Sequence, residues 1–183
     1  ASTNPELTKR GYSGVFRVCG TDDQQGKVAA DFVTSQLKIK KVAIIHDKTT
    51  YGQGLADEFK KSLNNEAEVV YYGAIVQGDQ DFKSVLTSIK YKKPELIYFG
   101  GIYPEAGLLV KQAREIGLKA PFMSGDGSID PKFVEIAGAA AAEGTYLTFS
   151  PDPNNIPSAK EFIDKYNRKF EELGPYSIYA YDA

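Results

Sequence analysis

The residues best able to do chemistry are acidic and sit near the ends of apolar runs. Asp126 stands between two glycines in Ser124-Gly125-Asp126-Gly127-Ser128. A carboxylate so placed can point into a cleft and hold a cation, act as a general base, or cap the helix that follows. Asp22, Asp23, His46, Asp47 and Asp126 all fall near strand ends, and such oxygen-rich clusters can suit Mg²⁺. Asp22 and Asp23, however, belong to the short break Thr21-Asp22-Asp23, and no metal site is assigned. His46 is the one histidine, and no serine or cysteine is placed as a nucleophile elbow, so a structural role at a strand end is expected. Cys19 is the one cysteine and reads as a small buried hydrophobe. It permits no internal disulfide and makes a cysteine-built metal site a poor fit.

Two glycine-bearing loops add possibilities. The run His46-Asp47-Lys48-Thr49-Thr50-Tyr51-Gly52-Gln53-Gly54 follows an apolar stretch and precedes a helix. Its Gly52-x-Gly54 continues as Leu55-Ala56-Asp57, so the third glycine of a dinucleotide fingerprint is missing, and there is no phosphate-loop Gly-Lys-Ser/Thr. Tyr51 either reaches a ligand there or packs over the helix start. In Gly100-Gly101-Ile102-Tyr103-Pro104, the paired glycines allow a ligand or a neighbouring backbone to come close, or simply make a tight turn. No cofactor is assigned.

Those side chains need a frame. Apolar runs at Lys41 to His46 and Glu95 to Gly101 read as strands buried on both faces. Further strands are expected at Gly14 to Gly20, Glu68 to Val76, Ala120 to Gly125 and Gly144 to Ser150. Helical spacing covers Gln24 to Leu37, with Val28, Phe32, Val33 and Leu37 on one face. It recurs over Gly52 to Leu63, after Asp81 as N-cap, over Pro104 to Ile116, Pro131 to Ala137 and Ser158 to Leu173. Gly117 suits the position just past a helix end, and Gly138 to Ala142 reads as a small-residue connection. Alternation of this kind predicts an α/β fold, a Rossmann-like parallel sheet flanked by helices. Ligands then sit beyond the carboxyl ends of the strands.

Composition narrows the classes. Among 183 residues, 42% are hydrophobic and 25% charged, which excludes a disordered chain. Twenty-two Lys and Arg against 24 Asp and Glu give a net charge of −2, so there is no basic excess to meet a phosphate backbone and no nucleic-acid partner is expected. No apolar run approaches the roughly 20 residues that span a bilayer. The start, Ala1-Ser2-Thr3-Asn4-Pro5, shows no signal-like pattern, which fits a cytoplasmic protein, a processed one or an excised piece. Tyr179 to Ala183 resembles the first turns of a helix, so truncation is expected there.

Five blocks carry a specific resemblance: FRVCGTDDQQGKVAADF, KVAIIHDKTTYGQGLADEFKKSL, YFGGIYPEAGLLVKQAREIGL, FMSGDG and IAGAAAAEGTYLT. Their order and spacing resemble the leucine/isoleucine/valine-binding-protein-like subunits of amino-acid ABC importers, the type I periplasmic binding proteins. The resemblance implies one full lobe plus part of the other. Residues 1–20 would be the end of lobe 1 and the first hinge crossover, 21–150 lobe 2, and 151–183 the second crossover and partial lobe 1. It further implies a periplasmic or cell-envelope location, an amino-acid ligand and, in the full-length protein, an ABC permease partner.

The family's binding residues carry over as follows. Ala1 and Thr3 resemble the segment that grips the ligand carboxylate, and Tyr51 the tyrosine that reaches the ligand. Asp126 resembles the acidic residue that takes the α-ammonium, shorter by a methylene than the glutamate many relatives have. Ile102 stands where leucine binders have an aromatic, and Tyr176 matches an aromatic lining the side-chain pocket. Two rival readings stay open: a cytoplasmic α/β enzyme or phosphoacceptor domain using Asp126 or Asp47, and the effector-binding domain of a transcription regulator. Residues 1–19 and 157–183 are expected to pack on each other in a reduced half-lobe or to exchange in a homodimer.

Overall fold

The computed structural model describes residues 3–170 and 173–183. A short α1 (Glu6–Lys9) leads to α2 (Asp22–Asp31), which runs on as one π-helical stretch, Phe32–Gln36. There follow β1 (Lys41–His46), α3 (Thr50–Ser62), β2 (Glu68–Ala74), α4 (Lys83–Tyr91), β3 (Leu96–Gly100) and α5 (Tyr103–Glu115). Then come β4 (Phe122–Ser124), α6 (Pro131–Ala137), α7 (Ala139–Ala142), β5 (Tyr146–Leu147), α8 (Lys160–Lys169) and α9 (Ser177–Asp182). The five strands form one sheet in the order β2-β1-β3-β4-β5, and every pairing is parallel.

Side chains alternate across a strand, so a sheet covered on both faces divides its residues between two cores. Val42, Ile44, Leu96, Tyr98 and Met123 pack with Ala29, Val33, Leu55 and Phe59 of α2 and α3. Their sequence neighbours Ala43, Ile45, Ile97, Phe99 and Phe122 pack with Leu86, Leu109, Val110 and Phe133 of α4, α5 and α6. Phe59 and Tyr98 stack with centroids 3.8 Å apart and planes 6° from parallel.

Several expectations need correction. Gly14 to Gly20 forms no strand, and Phe16 is 84% exposed. A strand needs a neighbour for its amides and carbonyls. This segment pairs with neither sheet edge; it folds back through a turn, Val15 N–H to Tyr12 O at 3.2 Å. The strand expected over Gly144 to Ser150 pairs only at Tyr146–Leu147, because β4, its single neighbour, is three residues long. Val28, expected on the buried face of its helix, is 60% exposed, and Cys19 is only half-buried. Asp81 is not the N-cap of α4; Phe82 takes that position, and the Asp81 carboxylate instead accepts the Lys83 N–H at 3.0 Å. The alanines after Gly138 form α7 rather than a plain connection, and the long helix expected from Ser158 starts with a 3₁₀ turn and ends at Lys169 within the described residues. Gly117 takes φ +72°, the left-handed conformation expected just past a helix end.

Candidate ligand-binding site

The carboxyl ends of β1, β3 and β4 meet at one edge of the sheet, and the first turns of α3 and α5 stand over them. The loop from β1 to α3 is built from its own polar groups. Asp47 Oδ1 accepts from the Thr49 N–H at 2.9 Å and from its hydroxyl at 2.6 Å. Thr49 then caps α3, its hydroxyl oxygen accepting the Gly52 N–H at 2.9 Å. Gly52 is required here: a Cβ would fall 2.5 Å from the Gly100 carbonyl oxygen. The α3 start therefore lies directly on the end of β3, which fixes Tyr51 at the sheet edge. The paired glycines of 100–101 serve this approach of neighbouring backbone, one of the alternatives their sequence left open.

Asp126 begins the turn after β4, a turn tied down by Ser124, whose hydroxyl donates to the Phe99 carbonyl at 2.8 Å and lies 2.8 Å from the Ser128 hydroxyl. Its carboxylate is buried and surrounded by neutral donors. Tyr51 donates its phenolic proton to Oδ1 at 2.8 Å, and Gln25 Nε2 donates to the same oxygen at 2.6 Å. The Tyr176 hydroxyl donates to Oδ2. Tyr51 also accepts the Gly127 N–H at 2.9 Å, and Gln25 Oε1 accepts from the Asp126 N–H at 3.2 Å and the Thr148 hydroxyl at 3.0 Å. Burial first, and then the Asp126 charge and hydrogen bond, push the Tyr51 phenol well above its ordinary range, so it stays protonated and keeps donating. Tyr176 is itself seated edge-on against Phe149, centroids 5.3 Å apart at 80°. Among the described residues no lysine or arginine pairs with Asp126.

The structure thus brings together Tyr51, Asp126 and Tyr176, residues up to 125 positions apart in sequence. Asp126 is closed over by the three donors rather than facing an open cleft. Ile102 occupies the N-cap position of α5 in extended backbone, half-buried, and the loop carrying Asp126 packs against its neighbour Gly101: a Cβ on Gly127 would lie 2.8 Å from the Gly101 carbonyl oxygen. Thr3 is buried, and its carbonyl accepts the Asp22 N–H at 2.9 Å. Ala1 lies outside the described residues.

Sequence reasoning missed Gln25 and misplaced Asp22. Gln25 does not titrate, so its type gave no warning; the only signal was its place in the DDQQG block. Asp22 is no linker residue. It opens α2, whose start carries a capping box between Thr21 and Gln24, and it is fully buried. Burial pushes its carboxyl up to about 6; the Thr3 hydroxyl and Arg17 oppose the rise, and the charges of Asp126 and Asp23 add to it. Neither Asp22 oxygen meets a hydrogen-bond partner of good geometry.

His46 takes a structural place: Nδ1 accepts the Lys48 N–H at 3.2 Å, the ring lies 5.4 Å from Tyr72, and burial holds its pKa below the ordinary value. Among the described residues no three His, Cys, Asp or Glu side chains are grouped to hold a metal ion. A groove elsewhere is lined by Phe162, Tyr166, Phe170 and Tyr181 of α8, α9 and the residue after α8, and includes none of the candidate site residues.

In a parallel sheet covered by helices on both faces, a polar cluster beyond the carboxyl ends of the strands lies where α/β domains hold their ligands. The comparison with known families makes this specific: the family model for periplasmic binding proteins matches residues 1–183, and the chain belongs to that family. It is 48% identical over 183 residues to an amino acid binding protein of Pseudomonas aeruginosa, covering 98% of this chain and 49% of that one. It is 45% identical over 184 residues to Leu/Ile/Val-binding protein homolog 1 of Brucella suis, covering all of this chain and 49% of the relative. Among solved structures, the leucine binding protein LivK of Thermotoga maritima superposes with a TM-score of 0.86 at 34% identity, over 96% of this chain and 50% of that one. LivJ of Streptococcus pneumoniae, a branched-chain amino acid transporter substrate binding protein solved with isoleucine, gives 0.79 at 36% identity, over 90% and 48%. The chain spans about half the length of the curated relatives it matches.

Proposed function

We propose that this chain belongs to a solute-binding subunit that captures an amino acid, branched-chain or related, outside the inner membrane and delivers it to an ABC permease. It performs no bond chemistry. Residues 21–150 constitute one lobe, residues 1–20 and 151–183 the hinge segments and part of the other. One observation carries the reading: a buried carboxylate, Asp126, is held by three neutral donors and by no protein cation among the described residues. A carboxylate oriented in this way offers a ligand ammonium a charge-assisted bond without competition from lysine or arginine. Tyr176 then acts as a placeholder on Oδ2 that yields when the ammonium arrives, and its ring joins Ile102 in facing the ligand side chain. Ala1 and Thr3 supply amides and a hydroxyl for the ligand carboxylate. The names of the relatives support an aliphatic amino acid as ligand.

The test is calorimetry on the protein at the full length of its relatives. Asp126→Ala should weaken leucine binding by about 1.5–3 kcal/mol, the range for a hydrogen bond to a charged group. Unchanged affinity would reject the assignment of Asp126.

A further inference from the structure

The edge of the sheet opposite Asp126 has a different chemistry. Parallel strands put their amino ends together, so the turns that enter β1, β2, β3 and β4 gather along one rim. Backbone bonds tie these turns to one another. The Glu68 N–H donates to the Lys40 carbonyl at 2.8 Å, the Glu95 N–H to the Lys41 carbonyl at 2.8 Å, and the Ile97 N–H to the Pro121 carbonyl at 2.9 Å. The turn into β1 carries Lys38, Lys40 and Lys41, the turn into β3 carries Lys92 and Lys93, and the turn into β4 carries Lys119. All six are exposed. Against them stand Glu66, Glu68 and Glu95, in a chain whose net charge is −2.

None of the six lysines forms an ion pair among the described residues. The Lys40 ammonium reaches the Glu66 carbonyl at 3.3 Å, and the Glu95 carboxylate accepts the Lys40 backbone N–H at 2.6 Å. Lys38 and Lys93 take left-handed backbone, φ +58° and +50°, where glycine or asparagine fits at lower cost. No ion pair within the chain offsets that strain. Tyr91 lies inside the run Lys90-Tyr91-Lys92-Lys93 and is 82% exposed. Lys90 folds down instead: its Nζ donates to the Ile116 carbonyl at 2.6 Å and holds the turn into β4 beside the turn into β3.

We propose that this rim is an adhesion surface for an anionic lipid bilayer. Lysines free of acidic partners respond to the negative potential of phospholipid headgroups, and that attraction needs no pocket. They come from three turns along one rim rather than converging on a point, which suits a plane of headgroups better than a single acidic side chain. An exposed tyrosine among lysines fits the headgroup level: its ring meets the acyl boundary, its hydroxyl stays wet, and the lysine stems lie alongside. Held in this way, the protein keeps its Asp126 edge turned to solvent. The adhesion lies at the other edge and does not depend on the ligand reading.

The test is sedimentation of the full-length protein with phosphatidylcholine vesicles containing about one-third phosphatidylglycerol, beside vesicles of phosphatidylcholine alone. At low salt the protein should pellet with the anionic vesicles and stay in the supernatant with the neutral ones, and about 0.5 M NaCl should release it. Lys92→Glu, Lys93→Glu and Lys119→Glu combined should lower the partition coefficient at least about tenfold and leave the denaturation midpoint nearly unchanged. Lys132→Glu with Lys160→Glu, on α6 and α8, should change it less than about twofold. Tyr91→Ala should lower it about two- to fivefold at fixed charge. No pelleting with anionic vesicles at low salt overturns the inference. So does pelleting that the triple variant retains, or that the control pair loses equally. Retention on immobilised polyglutamate with none on vesicles would put an acidic protein on this rim and overturn the bilayer assignment. The lipid and salt comparison needs no variant, so it decides the point even if the triple variant fails to fold.

Discussion

Strand β3 and the segment from Val15 to Val18 have similar apolar content and opposite fates. Leu96, Ile97, Tyr98 and Phe99 are all fully buried, each face of the strand covered by helices and each edge bonded to a parallel neighbour. Val15-Phe16-Arg17-Val18 bonds to no strand, and Phe16 and Val18 are 84% and 47% exposed. The same contrast separates α3 from α8: α3 buries Leu55, Ala56 and Phe59 in the core, whereas α8 has no fully buried residue and packs its aromatics on one another and on Tyr181. Apolar content makes an element possible; an adjacent, already ordered surface decides whether it forms and what it is worth.

The sharpest way to break that comparison is to remove the Phe59–Tyr98 stack. Phe59→Ala should cost about 3–5 kcal/mol, the usual range for a buried aromatic, read as a drop in denaturation midpoint. A loss below about 1 kcal/mol would mean the sheet and its helices are not the rigid half.

Next in size is a pH effect. The Asp22 carboxyl rises from an ordinary 3.8 to about 6 on folding, so the folded state holds that proton more tightly than the unfolded chain. Its stabilising contribution is complete below 3.8 and is lost as pH rises through 6, a loss of about 3 kcal/mol at most by pH 7. Asp22→Asn should therefore raise Tm at pH 7.5 and leave it nearly unchanged at pH 4. Equal Tm shifts at both would show that Asp22 does not titrate as its burial requires.

Gly52→Ala comes third. Its methyl meets the Gly100 carbonyl and the Asp47 carboxylate, so α3 must lift from β3 at a cost of about 1–3 kcal/mol. The loss is read as a drop in denaturation midpoint. At the small end, Phe16→Ser should change stability by no more than about 0.5 kcal/mol, because the ring touches solvent. A larger loss would reveal a partner for the 14–20 segment, and sedimentation of the chain would show whether that partner is a second copy.

What could be read in advance follows the same physics. Lys41 to His46 was legible because a strand buried on both faces has no polar alternation to confuse it, and Pro131 to Ala137 because proline and glycine mark its ends. Tyr51, Asp126 and Tyr176 were legible as residue types beside glycine turns, within a resemblance that fixed their order. Gln25 was not, since its role exists only once α2 is docked across the strand ends, 101 positions from Asp126. Asp22 was read as part of a break because acids near a break are usually solvated; nothing local says that the segment carrying Thr3 packs over it.

The central proposal is that the sheet edge around Asp126 forms part of an amino-acid site that is complete only in the protein at the full length of its relatives. Titration of L-leucine into the 183-residue chain, followed by amide NMR, tests it most directly. Shifts should gather at Gly52, Gly101, Gly125 and Gly127, with half-saturation in the millimolar range or weaker, equivalent to a binding free energy of about −4 kcal/mol or less in magnitude. Micromolar saturation, or shifts confined to the α8–α9 groove, would contradict it.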